Sequence, residues 1–342
     1  RHGDQDVARA LTLQLFGAFQ DFSVAVQGAA KDLADELDYL KGKTARATAG
    51  AGLAVSIPND VLSVAFMAKG YAHGRVSSSI DQQDIDYLRR IQRSNVVAAG
   101  VALDAALNGT DQITKNLNST ASGRAAIVSD YGVAVARQFD LGGVPVSVGV
   151  TPKLQKTWVY NYTTSIYDYD SNKWNDSRYR TDDTGFNVDA GIAADFGEHW
   201  TVGVSGQNLM SRDIDTKDIR IRNGRTGEVV SYKDTYQIRP LVTAGAAWHN
   251  DLVTLTADGD LTETKGFKSE DTSQYVGVGA EVTPLSWLAV RAGYRADVKG
   301  NDSNVFTGGV GFAPFSTVHV DLMGLYGEDE TWGAGAQLSM TF

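Results

Sequence analysis

Thr331-Trp332-Gly333-Ala334-Gly335-Ala336-Gln337-Leu338-Ser339-Met340-Thr341-Phe342 ends the chain on two interleaved sets of side chains. Trp332, Ala334, Ala336, Leu338, Met340 and Phe342 fall on one side. Thr331, Gly333, Gly335, Gln337, Ser339 and Thr341 fall on the other. A period of two is that of a β-strand whose faces meet different surroundings. Upstream, Val318, Val320 and Leu322 oppose His319 and Asp321. Leu288, Val290, Ala292 and Tyr294 oppose Arg291 and Arg295, and Val253, Leu255 and Ala257 oppose Thr254, Thr256 and Asp258. From residue 122 onward the pattern hardly breaks.

Fourteen such segments are expected, near 8–20, 45–57, 60–75, 122–138, 144–160, 184–195, 199–211, 236–248, 252–263, 273–283, 286–297, 304–313, 316–327 and 330–342. In the first, Leu11, Leu13 and Leu15 alternate with Thr12 and Gln14, although helix and strand periods compete there. Six connections are tight: Ile57-Pro58-Asn59-Asp60, Asp140-Leu141-Gly142-Gly143, Phe196-Gly197-Glu198, His249-Asn250-Asp251, Thr283-Pro284-Leu285-Ser286 and Ala313-Pro314-Phe315. Gly, Pro, Asn and Asp supply their turn chemistry. They alternate with connections that are mostly longer and polar, at 21–44, 76–121, 161–183, 212–235, 264–272, 298–303 and 328–329. Short turns at one end and long loops at the other describe an outer-membrane barrel with periplasmic turns and extracellular loops. Two loops carry helical spacing. Leu33, Leu37 and Leu40 mark a helix in 21–44; Ile85, Leu88 and Ile91 mark another in 76–121, with Ser77, Ser78 and Ser79 as capping candidates.

The expected fold is therefore all-β: a closed antiparallel transmembrane barrel, one domain over 1–342, with short helices in its extracellular loops. A soluble barrel would bury its apolar face inside, but about fourteen strands enclose more space than side chains can fill. The apolar face then meets lipid and the charged face lines the lumen. Aromatic residues gather at strand ends: Trp200, Trp248, Trp287, Phe312 and Phe315 at one end, Trp158, Tyr160, Tyr275, Tyr294, Tyr326 and Trp332 at the other. Flat rings with a polar handle suit the lipid headgroup level.

Composition narrows the function. The formal net charge of −10 argues against nucleic acid as a partner. With no cysteine, disulfides, thiolate metal sites and cysteine nucleophiles are excluded. Arg1-His2-Gly3-Asp4 does not start a signal peptide, so the numbering is expected to begin on a mature or trimmed chain. His2, His73, His199, His249 and His319 are scattered and form no triad or zinc spacing. Asp258 and Asp260 share a strand face without a histidine at motif spacing. Asp168-Tyr169-Asp170 and Asp182-Asp183 are acidic loop pairs, more often solvated than calcium-binding. No catalytic residue, metal or cofactor is expected.

The lumen-facing set is Arg46, Lys69, Lys153, Asp189, Asp258, Asp260, Glu281, Arg291, Arg295, His319 and Asp321. It reads either as a charged path for a solute or as an internal network of pairs that fills the lumen. Pro152 is singled out because a proline inside a strand cannot donate to the ladder, which predicts a bulge or gap there.

Arg239-Pro240-Leu241-Val242-Thr243-Ala244-Gly245, Leu255 through Glu263 and Trp287 through Arg295 resemble the TraF-type conjugal-transfer family of outer-membrane proteins. Ser129-Asp130-Tyr131-Gly132-Val133 and Val148 through Lys153 add to that resemblance. The thioredoxin-like conjugation protein of the same name resembles a redox fold, and a chain without cysteine has no such chemistry. More distantly, the chain is similar to long-chain fatty-acid transporter (FadL-like) barrels. That similarity implies fourteen strands, uptake of hydrophobic molecules and an N-terminal plug, for which no segment is recognisable here. The terminal Phe342 resembles the aromatic residue that outer-membrane proteins present to their assembly machinery. Expected partners are outer-membrane lipid and a small-molecule solute. Two functions stand: passive passage of a small solute, a hydrophobic one included, or a structural role in a conjugation-related envelope apparatus acting through loops 76–121 and 161–183.

Overall fold

Strands with one apolar face can satisfy every backbone group away from water only by closing on themselves. The computed structural model describes residues 23–57, 61–109, 114, 116–224, 226–301, 304–315, 317–327 and 331–341. In chain order the barrel begins with β1 (Thr44–Ile57), β2 (Ser63–Ser79), β3 (Thr120–Leu141), β4 (Val144–Ser165), β5 (Arg180–Phe196) and β6 (Trp200–Gln207). Four short strands follow in one loop: β7 (Arg212–Asp215), β8 (Ile219–Arg222), β9 (Val229–Tyr232) and β10 (Thr235–Ile238). The barrel resumes with β11 (Leu241–His249), β12 (Val253–Asp260), β13 (Tyr275–Leu285), β14 (Leu288–Asp297), β15 (Val305–Phe315), β16 (Val318–Gly327) and β17 (Thr331–Thr341). The helices are α1 over 23–40, α2 (Gln82–Arg93) and α3 (Asn95–Asn108).

The closed ring contains thirteen described strands. Neighbours run antiparallel except at the seam, where β1 and β17 pair in parallel from Arg46–Thr331 to Ser56–Thr341. Both edges of β1 are thereby filled, by β2 and β17, which corrects the expected count of fourteen. Residues 8–20 lie outside the described residues, as do Pro58, Asn59, Asp60 and Phe342. An odd meander brings its first and last strands to the seam in the same direction, so closure has to be parallel there.

The pairing carries one set of residues to the inside all the way round. Arg46 faces Arg75, which faces Arg124, which faces Asn161. Farther round, Thr254 faces Glu281, Glu281 faces Arg291, Arg291 faces Gly309 and Gly311 faces Asp321. The opposite face is apolar and open. Val278 is 61% exposed and Phe306 59%, and Tyr294 packs on Phe306 across the β14–β15 pair. An outward apolar face that no protein covers is the lipid-facing surface of a transmembrane barrel.

The tight turns follow their residues. Gly142 and Gly143 alone join β3 to β4, with φ of 62° and 88°; a two-residue hairpin with both φ positive strongly favours glycine. Asp140 accepts the Gly143 N–H at 2.8 Å. Near Pro284 and Pro314 the register shifts by one, between Val282 and Leu285 and between Phe312 and Phe315. These are bulges, which tolerate the missing donor.

β3 and β4 run 22 residues each, about twice the ~9–11 that a tilted crossing needs. They raise one side of the barrel into a wall above the long-loop end. α1, α2 and α3 pack at this end through Ala30, Ala34, Leu37, Leu88, Ile91, Ala98 and Ala102, joined by Leu117, Ile166 and Tyr167. The cap of α2 is Asp81, whose side chain accepts the Gln83 N–H; Ser77, Ser78 and Ser79 belong to β2 instead. Buried Asp84 ties α2 to the foot of β3, accepting from Asn118 N, Ser119 N and Ser119 Oγ at 2.6–2.8 Å. Two aromatic residues expected at the headgroup level have other roles. Tyr160 is buried beneath Trp174, and Tyr275 faces inward under Arg295.

Candidate functional site: the barrel lumen

Two connections expected to be plain polar loops fold into the barrel. β7 and β10 form a hairpin whose Ile214, Tyr236 and Ile238 bury against Ala126 of β3 and Val159 of β4. Phe267, from the β12–β13 loop, joins them and stacks edge-on against Tyr236, centroids 5.2 Å apart. Burial pushes the Tyr236 hydroxyl well above its usual range, so it stays neutral. This wedge narrows the long-loop end and leaves a cavity of roughly 1030 Å³ inside the ring. Tyr71, Val128, Leu241, Met67 and Met323 give the cavity apolar stretches, and charged groups fill the rest of its wall.

One polar cluster lies behind the β3–β4–β5 wall. Lys153, with 1% of its side chain exposed, holds Asp130 of β3 at 2.9 Å and Asp189 of β5 at 3.0 Å. Gln155 Nε2 donates to Asp130 and to Asn208 Oδ1, and its own oxygen accepts from Asn187 and Arg212. Arg212 also pairs with Asp183. The Asn208 N–H donates to Asp189 at 2.8 Å; its φ of 52° is the left-handed conformation that asparagine tolerates. In low dielectric such charges persist only when paired and hydrogen-bonded.

Directly outside this cluster the ladder opens. β3 and β4 pair up to Gly132–Lys153 and resume at Val135–Val150, so the Val133–Pro152 and Ala134–Thr151 pairs are missing. The register is the same on both sides of the interruption. It is a gap without an extra residue, unlike the bulges near Pro284 and Pro314. On the other side Pro152 pairs with Val188 and β4–β5 continues unbroken. The cavity reaches this place, touching Asp130, Ala134 and Lys153.

A second cluster sits under the wedge. Glu270 of the β12–β13 loop approaches His73 Nε2 at 3.1 Å and Arg46 Nε at 3.8 Å. Burial alone would raise its pKa, but the His73 hydrogen bond and the charges of His73, Arg75 and Arg46 outweigh that and hold Glu270 below the ordinary carboxylate range. Asp234, between β9 and β10, takes Arg124 Nη1 at 2.8 Å and also accepts from Ser269. Across the lumen, Arg291 bridges Glu281 at 3.0 Å and Asp321 at 2.8 Å. Arg295 lies over the Tyr275 ring at 4.0 Å.

The family described as "F plasmid transfer operon, TraF, protein" matches residues 4–260. The chain belongs to this TraF family. The match includes Ser129–Val133 and Val148–Lys153 and stops at Asp260, short of the Trp287–Arg295 segment that also carried the resemblance. No curated protein matches the chain. Among solved structures, the TraF-family chain is similar to the toluene transporter TbuX of Ralstonia pickettii, with 9% identity, a TM-score of 0.43, and 83% of this chain and 82% of that one covered. It is also similar to the CymD monoaromatic hydrocarbon channel, with 11% identity, a TM-score of 0.42 and 83% of each chain covered. A FadL homologue of Pseudomonas aeruginosa gives 10% identity, a TM-score of 0.38, and 77% of this chain and 69% of that one.

In this TraF-family barrel the register puts Arg46, Lys69, Lys153, Asp189, Asp258, Asp260, Glu281, Arg291, Arg295, His319 and Asp321 on the inner face. They do not form one site. Lys153 and Asp189 meet, with Lys69 3.8 Å from Asp189; Glu281, Arg291 and Asp321 form a separate triad; Arg46 belongs to the Glu270 cluster. Asp260 instead serves the backbone, accepting from Tyr275 N, and Thr243 Oγ1 donates to it. No group of three potential metal ligands occurs among the described residues. Sequence reasoning missed His73, Arg75, Arg124, Asp130 and Gln155, although each shares the strand alternation of a residue it named or of its neighbours. Glu270 and Asp234 had no such signal, because nothing local marks a loop that folds inward.

Proposed function

We propose that the protein is a passive outer-membrane channel for a small hydrophobic solute, which leaves the lumen sideways through the gap at Pro152. One observation carries this reading: a partly apolar cavity abuts a two-pair interruption in a wall whose outer face is apolar. Pro152 has no N–H to offer β3, so parting the strands there sacrifices less hydrogen bonding than elsewhere. A solute that partitions into hydrocarbon gains about 25 cal/mol per Å² of apolar surface removed from water, and a lateral outlet spares it the aqueous periplasm. Lys153, Asp130 and Asp189 stand as a strap on the lumen side of this outlet.

The chain's lack of cysteine allows a clean test. Ala134→Cys with Thr151→Cys places two thiols across the missing pair. Uptake of N-phenyl-1-naphthylamine by cells carrying this barrel should fall on oxidation and recover on reduction. Uptake that exceeds the barrel-free control but ignores the redox state leaves a channel without the lateral outlet. Uptake equal to the control removes transport altogether. The family match favours a second reading, a structural part in a conjugation-related envelope apparatus. Deletion of residues 166–179 should then abolish DNA transfer while barrel assembly persists.

A further inference from the structure

Arg46, Arg75 and Arg124 are direct cross-strand partners on three adjacent strands, all facing inward. Like charges directly opposite one another destabilise a sheet, so three guanidiniums in a row need anions. Among the described residues, the strand positions paired with this row (Thr331 and Asn161) bring no anion to it. The anions come from loops: Glu270 reaches His73 and Arg46, and Asp234 reaches Arg124. Arg75, the middle member, makes none of the described ion pairs, and its Nε is buried without a hydrogen-bond partner. Among the described residues two loop carboxylates reach this row, and neither makes an ion pair with Arg75.

We propose that this arginine row is a binding site for a small organic carboxylate, and that Glu270 is its resident stand-in. The headgroup chemistry is read from the occupant, since a carboxylate is already seated against Arg46 and His73. The body of the ligand is read from the adjoining cavity, where Tyr71, Tyr236 and Tyr275 offer ring surface. Glu270 is tethered to the wall by a loop, so a free carboxylate competes with it on the same guanidiniums. Arg75 gives the incoming anion a donor that Glu270 leaves unused. Displacing Glu270 releases the loop's tie to Arg46 and His73, while the Gly266 carbonyl, the Lys268 N–H and Phe267 keep the loop on β10. The site goes beyond the channel reading, because a carboxylate anion is not the hydrocarbon-partitioning solute of the lateral outlet, and its binding does not depend on that reading.

The probe is benzoate, with uncharged benzamide as its shape control, titrated calorimetrically into the full chain in detergent at neutral pH. Benzoate should bind the unaltered protein more tightly than benzamide does. Glu270→Gln removes the competitor and should tighten benzoate at least tenfold; Arg75→Gln should weaken it at least tenfold; benzamide should respond to neither. Equal binding of the two probes, or a benzoate affinity indifferent to Glu270→Gln, overturns the proposal. Heat-modifiable migration on a detergent gel reports whether each variant has closed its barrel. If Glu270→Gln has not closed, Arg75→Gln decides alone, and unchanged benzoate binding to that folded variant is the overturning result. The thiol-gated uptake assay stands apart. Benzoate binding lost with Arg75 while uptake persists separates this site from the channel; the site without uptake does the reverse.

Discussion

Lys153→Met tests whether the strap behind the β4 gap is a buried ion network or a wetted surface. The lysine side chain is 1% exposed, its partners Asp130 and Asp189 are 7% and 17% exposed, and the contacts measure 2.9 and 3.0 Å. Hydrogen bonds to charged groups contribute ~1.5–3 kcal/mol each, so two suggest about 3–6. Removing one member of a buried pair typically costs ~3–5 kcal/mol because the other charge is left uncompensated. Asp189 keeps the Asn208 N–H and Lys69 at 3.8 Å, while Asp130 keeps only Gln155 among the hydrogen bonds described. The stranded charge is therefore mainly Asp130, and about 4 kcal/mol is expected, near three orders of magnitude in the folding equilibrium. Urea unfolding of the barrel in lipid vesicles, followed by tryptophan fluorescence, reads this as a lower midpoint at constant slope. Adding Asp130→Asn to Lys153→Met should restore roughly half the loss, since neighbouring sites couple. A single variant that loses less than about 1 kcal/mol, the scale of an exposed pair, refutes the argument. So does a double variant less stable than the single one.

Val290, 45% exposed on the outer face between Val282 and Val310, should cost ~2–4 kcal/mol on changing to Arg if lipid meets it near the midplane. Thr256→Asn on the inner face should be tolerated; equal effects in the same unfolding assay would reverse inside and outside. At Gly132 a Cβ would stand 2.9 Å from the Pro152 carbonyl oxygen and 3.0 Å from Lys153 Cβ. Gly132→Val should therefore destabilise by ~1–3 kcal/mol, as overpacking does, and a neutral result would mean the strands part easily there. The Glu270 latch has a defined pH sense. Its folded-state value is lowered by His73, Arg75 and Arg46 against the effect of burial, so its stabilisation is present above the unfolded value near ~4.3 and is lost as pH falls through the lower folded one. Hydrogen exchange over residues 264–273, corrected for intrinsic rate, should stay slow from neutral pH into that range and then rise. A rise already between pH 7 and 6, well above the carboxylate range, would refute the assignment of the latch to Glu270.

The β-barrel is legible in local pattern because a strand's faces alternate strictly. Arg291 and Val290 must face opposite ways whatever surrounds them, and Gly142-Gly143 can make a two-residue turn almost unaided. The same rule made Pro152 conspicuous, since a missing N–H is a property of the residue itself. Strand number was not readable in this way. Leu11, Leu13 and Leu15 alternate as a strand would, yet alternation does not say which edge a segment joins, and β1 had already found β17. Nor does it reveal who meets whom across the lumen. Lys153 was visible as an inward charge, but its partners lie 23 residues before it and 36 after, and only register joins them. The loops were least readable. Glu270 and Asp234 look like ordinary solvated carboxylates in polar segments, and become lumen groups because Tyr236 and Phe267 bury against the wall and carry them inward. Burial and register are properties of the closed ring, so the faces were written in the chain and the contacts were decided by closure.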